Sequence, residues 1–253
     1  ARKIYDGSST GVTTTHGVQV RSDYAEKHPE IVVAFLKASL EADRSYREKP
    51  EELSEKLAQW TGVDAEVYYA FHGPNGIQTR DYSLKPEYVR AIQGAQESLK
   101  VLKKVTKEID IDAYVQDKFI RQAASEFGVD YDARLKDYSP QPFTEDAQDT
   151  HAKVTDAKLA GQIWVKGEPK VRLYSTVEAT FAAAKQLEAE SKQLRVIFVH
   201  DRVSGNKLFA DKVWYVKNAA GLSAFLLKNA AADWAKQNAG TVIDYAAARK
   251  AGR

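Results

Sequence analysis

The stretch GQIWVKGEPKVRLYSTVEATFAAAK, starting at Gly161, and the stretch DKVWYVKNAAGLSAFLLKNAAADWAK, starting at Asp211, carry one pattern twice. In the first, Ile163 and Val165, then Val171 and Leu173, flank the turn residues KGEP, which reads as a hairpin. Ser175 with Glu178 reads as a capping box for a helix running to about Lys192, and LRVIFVH follows as a buried strand. In the second, Val213–Val216 and Leu222–Leu227 read as strands. Asn229 caps the helix AAADWAKQ, Gly240 ends it, and TVIDY closes the series as a strand. Each copy therefore runs strand, strand, helix, strand, with Trp164 and Trp214 in matching places. A ββαβ unit has one apolar helix face and one sheet to cover it, so two such units gain by sharing a core. The repeat predicts a pseudo-symmetric double ββαβ domain over residues 158–253, with both tryptophans packed against strands.

The first half follows other rules. Gly17–Arg21 alternates like a short strand, and Asp23 with Glu26 resembles a capping box. His28-Pro29 interrupts the first turn, because the residue before proline avoids helical geometry. Ile31, Phe35, Leu36 and Leu40 then recur at helical spacing. Pro50 opens a further helix and Gly62 ends it. DAEVYYAFHG is a short helix, HGPNGIQTRDYSL a loop, and KPEYVRAIQGAQESLKVLKKV an amphipathic helix. DIDAYVQDKFIRQAASEFG reads as one more, capped by Asp112 and stopped by Gly128. From Val129 the periodicity fades, and DYSPQPFTEDAQDT carries two prolines. The expected fold class is α+β. A mostly helical segment spans 1–138, a linker spans 139–157, and the double ββαβ domain spans 158–253.

Charge and composition narrow the function. The net charge is +2 with no basic stripe, which argues against nucleic acid as a partner. No apolar run reaches bilayer length, so no membrane span is expected. The chain has no cysteine, so it has no disulfide, thiolate metal site or cysteine nucleophile, and it has no methionine either. G-x-S-x-G, P-loop and G-x-G-x-x-G motifs are missing, so the expectation is a protein that is not an enzyme.

Two family resemblances emerge from these stretches. GVQVRSDYAEKHPEIVVAFLKASLEADRSYREKPEELSEKLAQWTGVDAE and VRAIQGAQESLKVLKKVTKEIDIDAYVQDKFIRQAA resemble the C-terminal part of the substrate-binding proteins of bacterial ABC importers. The branch is the one that takes nitrate, sulfonates, taurine or thiamine precursors. The telling features are the strand before Asp-Tyr, the His-Pro-Glu turn, and the late Ile-Asp-Ala-Tyr helix start. The resemblance covers roughly residues 1–138. It implies a non-catalytic, periplasmic solute-binding component that closes on a small anionic or zwitterionic solute and meets the importer's membrane permease. In that setting the chain is a mature exported protein, without its signal peptide.

The second half, through KVRLYSTVEATFAAAK, RVIFVHDRVSGNKLFADKVWYVKN and GLSAFLLKNAAADWAKQNAGTVIDY, looks like the NosL family, accessory proteins of nitrous oxide reductase maturation. That resemblance implies the paired ββαβ fold and, as the alternative function, the handling of copper. Those members start their metal site at a Cys-Gly-Met region. Here the corresponding stretch is EDAQDTHAKVTDAKLAG, with His151 and no cysteine. No cofactor is required by the residues themselves, and copper rests on resemblance alone.

Candidate residues follow from chemistry. Thr13, Thr14, Thr15 and His16 form a hydroxyl- and imidazole-rich stretch of the kind that holds anions through neutral donors. His151, with Asp146 and Asp149 nearby, and His200, beside Asp201, are the candidate metal ligands. None of the histidines is spaced as a local metal pair.

Overall fold

The structure is a computed structural model that describes residues 16–77 and 81–252. The chain divides into two compact units, residues 1–43 with 81–138 and residues 44–80 with 139–253. This is not the expected division at 138 and 158. The stretch 44–80 belongs with the C-terminal unit, and the stretch expected to be a linker is part of that unit's core. Phe143, Ala147 and Val154 pack with Ala160 and Leu173, and the amide of Gln148 donates to the carbonyl of Leu173 at 2.8 Å. Apolar residues sparse enough to read as a tether still bury one face when a sheet edge is beside them.

The first unit is helical throughout its described residues. It holds α1 (Ser22–Lys27), most of α2 (Pro29–Glu48), α5 (Pro86–Val101), α6 (Ile111–Tyr114), α7 (Lys118–Phe127) and α8 (Tyr131–Arg134). Pro29 separates α1 from α2 as expected. Residues 17–21 are not a strand: Val18 and Val20 are exposed, and among the described residues no strand pairs with them. The helix expected from Asp112 to Gly128 is two helices. The Asp110 carboxylate caps α6 by accepting from the amides of Asp112 and Ala113, and Gly128, with φ 78°, ends α7. Ile120, Ala124 and Tyr131 form the core, with Leu36, Leu40, Leu84 and Leu135 against them. The buried ammonium of Lys85 is fully provided for by the Asp81 carboxylate and the Asp137 carbonyl, with the Tyr138 ring 4.6 Å away.

The second unit is mixed. Its helices α3 (Pro50–Thr61) and α4 (Ala65–His72) precede β1 (Gly161–Val165), β2 (Arg172–Tyr174), α9 (Val177–Ala189), β3 (Leu194–His200) and β4 (Lys207–Phe209). A single 3-10 turn leads to β5 (Trp214–Asn218), β6 (Gly221–Phe225), α10 (Lys228–Gln237), β7 (Thr241–Ile243) and α11 (Tyr245–Ala251). The strands make two antiparallel sheets, ordered β2-β1-β3-β4 and β6-β5-β7. A parallel bridge between Asp201 and Ala224 links them.

Alternation of side chains sends Ile163 and Val165 of β1, with Ile197 and Val199 of β3, to one face of the four-stranded sheet. There α9 lays Val177, Phe181, Ala184 and Leu187, and Tyr215, Leu222 and Ala224 of the second sheet join the same core. The other face carries Gln162, Trp164, Phe198 and Phe209 and is covered by α3 and α4 through Ala58, Ala65, Tyr69 and Ala70. Helix α10 covers the far face of the second sheet, setting Ala231 and Ala235 on Val216 and Phe225. The helix starts differ from expectation. Thr176 caps α9 by accepting from the amide of Ala179, while Ser175 bonds Asp149 and Glu178 accepts from the amide of Leu222. Helix α10 begins without a side-chain cap.

The two tryptophans are not equivalent. Trp164 lies on the face opposite α9, 2% exposed, with its indole donating to the Glu168 carbonyl at 3.2 Å and the Arg195 guanidinium 4.7 Å over its ring. Trp214 lies on the face covered by its own helix α10, with the Lys228 ammonium 4.5 Å over the ring.

Because Phe181 is fully buried where both sheets and α11 meet, Phe181→Ala is expected to cost about 3–5 kcal/mol. A Cβ at Gly161 would clash with the Thr180 side chain, so Gly161→Ala is expected to cost about 1–3 kcal/mol by overpacking. Equilibrium urea denaturation of both variants checks these figures.

Candidate functional site

The chemically unusual region is the sheet face under α3 and α4. Strand alternation sends Gln162 of β1, Phe198 and His200 of β3, and Lys207 of β4 to this one face. His200 and Lys207 are directly paired across the strands. Neither Gln162, His200 nor Lys207 has appreciable exposure. The Gln162 amide donates to the Tyr69 hydroxyl at 3.0 Å, and Tyr69 lies tilted over Phe198 with ring centroids 5.6 Å apart. The Lys207 nitrogen sits 4.0 Å from the centre of the Tyr69 ring and 5.5 Å from that of Phe198. Phe143 meets the His200 ring edge-on at 5.5 Å.

Polar groups hold the helices down around this core. The Arg195 guanidinium bonds Glu66 at 2.7 Å and also Glu55. The buried carboxylate of Glu51 accepts from the Val171 amide at 3.1 Å and from Lys170 at 3.2 Å.

Burial sets the protonation states. It lowers the His200 imidazole to about 3, with the neighbouring Lys207 pushing the same way and the bond to Ala160 opposing. Burial also holds the Lys207 amine well below the usual lysine range, which Glu51 only partly offsets. The Tyr69 phenol is raised by burial and by the negative charge of Glu51. His200 is therefore neutral at pH 7. Its Nδ1 faces the Ala160 carbonyl at 3.0 Å, so Nδ1 carries the proton and donates, and Nε2 presents a lone pair. Among the described residues, His200 Nε2, Gln162 Oε1 and Lys207 Nζ have no hydrogen-bond partner.

Two concave regions also lie in this unit. A cleft of about 500 Å³ is lined by Glu145, Asp146, Glu168, Lys170, Arg172 and neighbours, and one of about 310 Å³ by Thr150, Lys153, Asp156, Ser175, Thr176 and neighbours. In the larger cleft Arg172 pairs with Glu168 at 2.7 Å and Lys170 lies 4.0 Å from Glu145, while Asp146 pairs at 2.9 Å with Lys153 of the smaller one.

The residues singled out in the sequence fall apart in space. Thr13, Thr14 and Thr15 lie outside the described residues, and His16 is the first described residue, exposed. His151 is exposed in a turn with φ 53°, its amide donating to the Ala147 carbonyl at 2.8 Å. Its acidic neighbours are engaged elsewhere, Asp146 with Lys153 and Asp149 with the amide and hydroxyl of Ser175. His200 is sealed in the sheet face. Among the described residues, no group of three or more histidine, aspartate and glutamate side chains could hold a metal ion. Sequence reading passed over Gln162, Lys207 and Glu51. The signal for Lys207 was faint: one lysine in NKLF, a run too short to read as a strand.

No protein-family model matches the chain, and no curated protein matches it in sequence. Among solved structures it is similar to the crystal structure of the copper chaperone NosL from Shewanella denitrificans. The identity is 18% and the TM-score 0.34, over 41% of this chain and 88% of that chain. A superposition that loose carries no weight for the site or the activity.

The pH dependence of stability tests the buried bases. The pKa of His200 is near 6.5 in the unfolded chain and about 3 when folded, so only the unfolded chain is protonated between them. Its contribution is complete above about pH 6.5 and is lost as pH falls, at about 1.4 kcal/mol per pH unit. Lys207 acts in the same direction, in a window whose upper end is its ordinary value of 10.5. His200→Phe and Lys207→Met should each flatten the stability profile in its own window, measured by urea denaturation from pH 5 to pH 10.

Proposed function

We propose that the protein is a non-catalytic, periplasmic solute-binding component of an ABC-type importer, of the nitrate, sulfonate and taurine kind, carrying a NosL-like double ββαβ domain. The observation behind this reading is the course of the first unit. The stretches that resemble importer substrate-binding proteins lie on α1, α2, α5, α6 and α7, with α3 of the second unit, and the Ile-Asp-Ala-Tyr start is a capped helix in its own right. The expected solute is small and anionic or zwitterionic, held by neutral donors at Thr13, Thr14, Thr15 and His16. The expected partner is the importer's membrane permease. No helix among the described residues is long and apolar enough to cross a membrane.

A second reading, handling of copper as cargo, draws on the strand orders β2-β1-β3 and β6-β5-β7. Each places the first strand of its series between the other two. The donors do not fit Cu(I) well. It prefers thiolate and thioether sulfur, and the chain has no cysteine or methionine. Of the two candidate imidazoles, His151 is exposed and His200 is enclosed.

Thermal unfolding with nitrate, taurine, alkyl sulfonates and pyrimidines separates the readings. A solute at one hundred times its Kd should stabilise the protein by about 2.7 kcal/mol. That gain should vanish when Thr13, Thr14, Thr15 and His16 are all changed to alanine. Cu(I), Cu(II) and Zn(II) run alongside, with His151→Ala as control. Stabilisation by a metal and by no solute would overturn the importer reading in favour of the second.

A further inference from the structure

The three unpartnered atoms under α3 and α4 share one face of one sheet, although they come from three strands. Gln162 lies on β1, His200 on β3 and Lys207 on β4, and the Tyr69 side chain touches both outer members, its hydroxyl meeting Gln162 and its ring face meeting Lys207. A buried polar group without a partner costs about 1–3 kcal/mol, and three together on one face would be a heavy burden on a fold of ordinary stability. Lys85, also buried, shows the usual remedy, with both a carboxylate and a carbonyl at its nitrogen. Lys207 has neither.

The chemistry of the atoms selects the guest. With its Nδ1 proton committed to Ala160, His200 offers Nε2 as an acceptor. With its NH₂ committed to Tyr69, Gln162 offers Oε1 as an acceptor. The Tyr69 hydroxyl accepts from Gln162 and retains its own proton to give, and Lys207 has N–H groups to give. An anion would face two lone pairs, a cation would face the lysine, and an apolar guest would leave every atom as it is. A small neutral molecule that both donates and accepts satisfies the set, with the rings of Tyr69 and Phe198 beside Lys207 and that of Phe143 beside His200.

The geometry points to a sealed hydration site in which one water molecule donates to His200 Nε2 and Gln162 Oε1 and accepts from Lys207 Nζ, beneath the ring of Tyr69. Three hydrogen bonds are the usual complement of a buried water. The site is independent of the solute-binding reading, and it makes Lys207 a hydrated amine inside an apolar wall.

A crystal structure of the whole chain at a resolution that shows ordered water is the direct test. Electron density within about 2.7–3.2 Å of all three atoms is expected. A direct hydrogen bond from Lys207 to His200 or Gln162, with no density between them, would overturn the proposal. In solution, long-lived water should give cross-relaxation to the His200 ring protons in the parent, and Lys207→Met should weaken or abolish it. If Lys207→Met does not fold, Gln162→Met serves the same purpose. Absence of the signal in the parent counts against the site.

Discussion

Strand β1 is buried at all five of its positions, Gly161 to Val165, and that fact governs the second unit. A strand buried on both faces needs cover on both faces. One face is met by α9 and, beyond it, the second sheet. The other is met by α3 and α4, which come from far earlier in the chain. The folding of residues 44–80 with residues 139–253 is thus a consequence of Trp164 and Phe198 needing a cover that the repeat itself does not supply. Tyr69 supplies it, and in doing so encloses the polar side chains that share that face.

Much of the fold was legible. Strands β1, β2, β3, β5, β6 and β7 with helices α9 and α10, the break at Pro29, and the glycine stops at Gly62 and Gly128 follow from local rules, and those rules are obeyed because nothing nonlocal contradicts them. The failures have nonlocal causes. Val18 and Val20 alternate like a strand, but both are exposed and no described strand lies beside them. Glu178 has the spacing of a capping box, yet its carboxylate is drawn to the Leu222 amide of another strand. The apparent tether contributes Phe143 and Ala147 to a core because Leu173 lies beside it. The matching of Trp164 with Trp214 in sequence hides opposite faces, since a helix covers either side of a sheet without altering the pattern of the strand.

The candidate site was less legible for a related reason. A lone lysine, glutamine or histidine carries no periodicity, so Gln162 and Lys207 look like solvated residues until the sheet register places them together. In the sequence His200 reads as a strand-ending histidine, and burial makes it a neutral acceptor. His151 stands out in the sequence for its acidic neighbours, whose carboxylates are spent on Lys153 and Ser175.

Asp201 follows directly after that histidine and stands where the sheets meet. Its carboxylate accepts from the Leu226 amide at 3.0 Å and from the Ser204 amide and hydroxyl, while the next amide, Arg202, donates to the Ala224 carbonyl at 2.8 Å. A single side chain therefore fastens the rim of one sheet to the end strand of the other. Loosening either rim breaks the same clasp, so amide protons on the two sides of this seam should exchange with deuterium together, as one cooperative block.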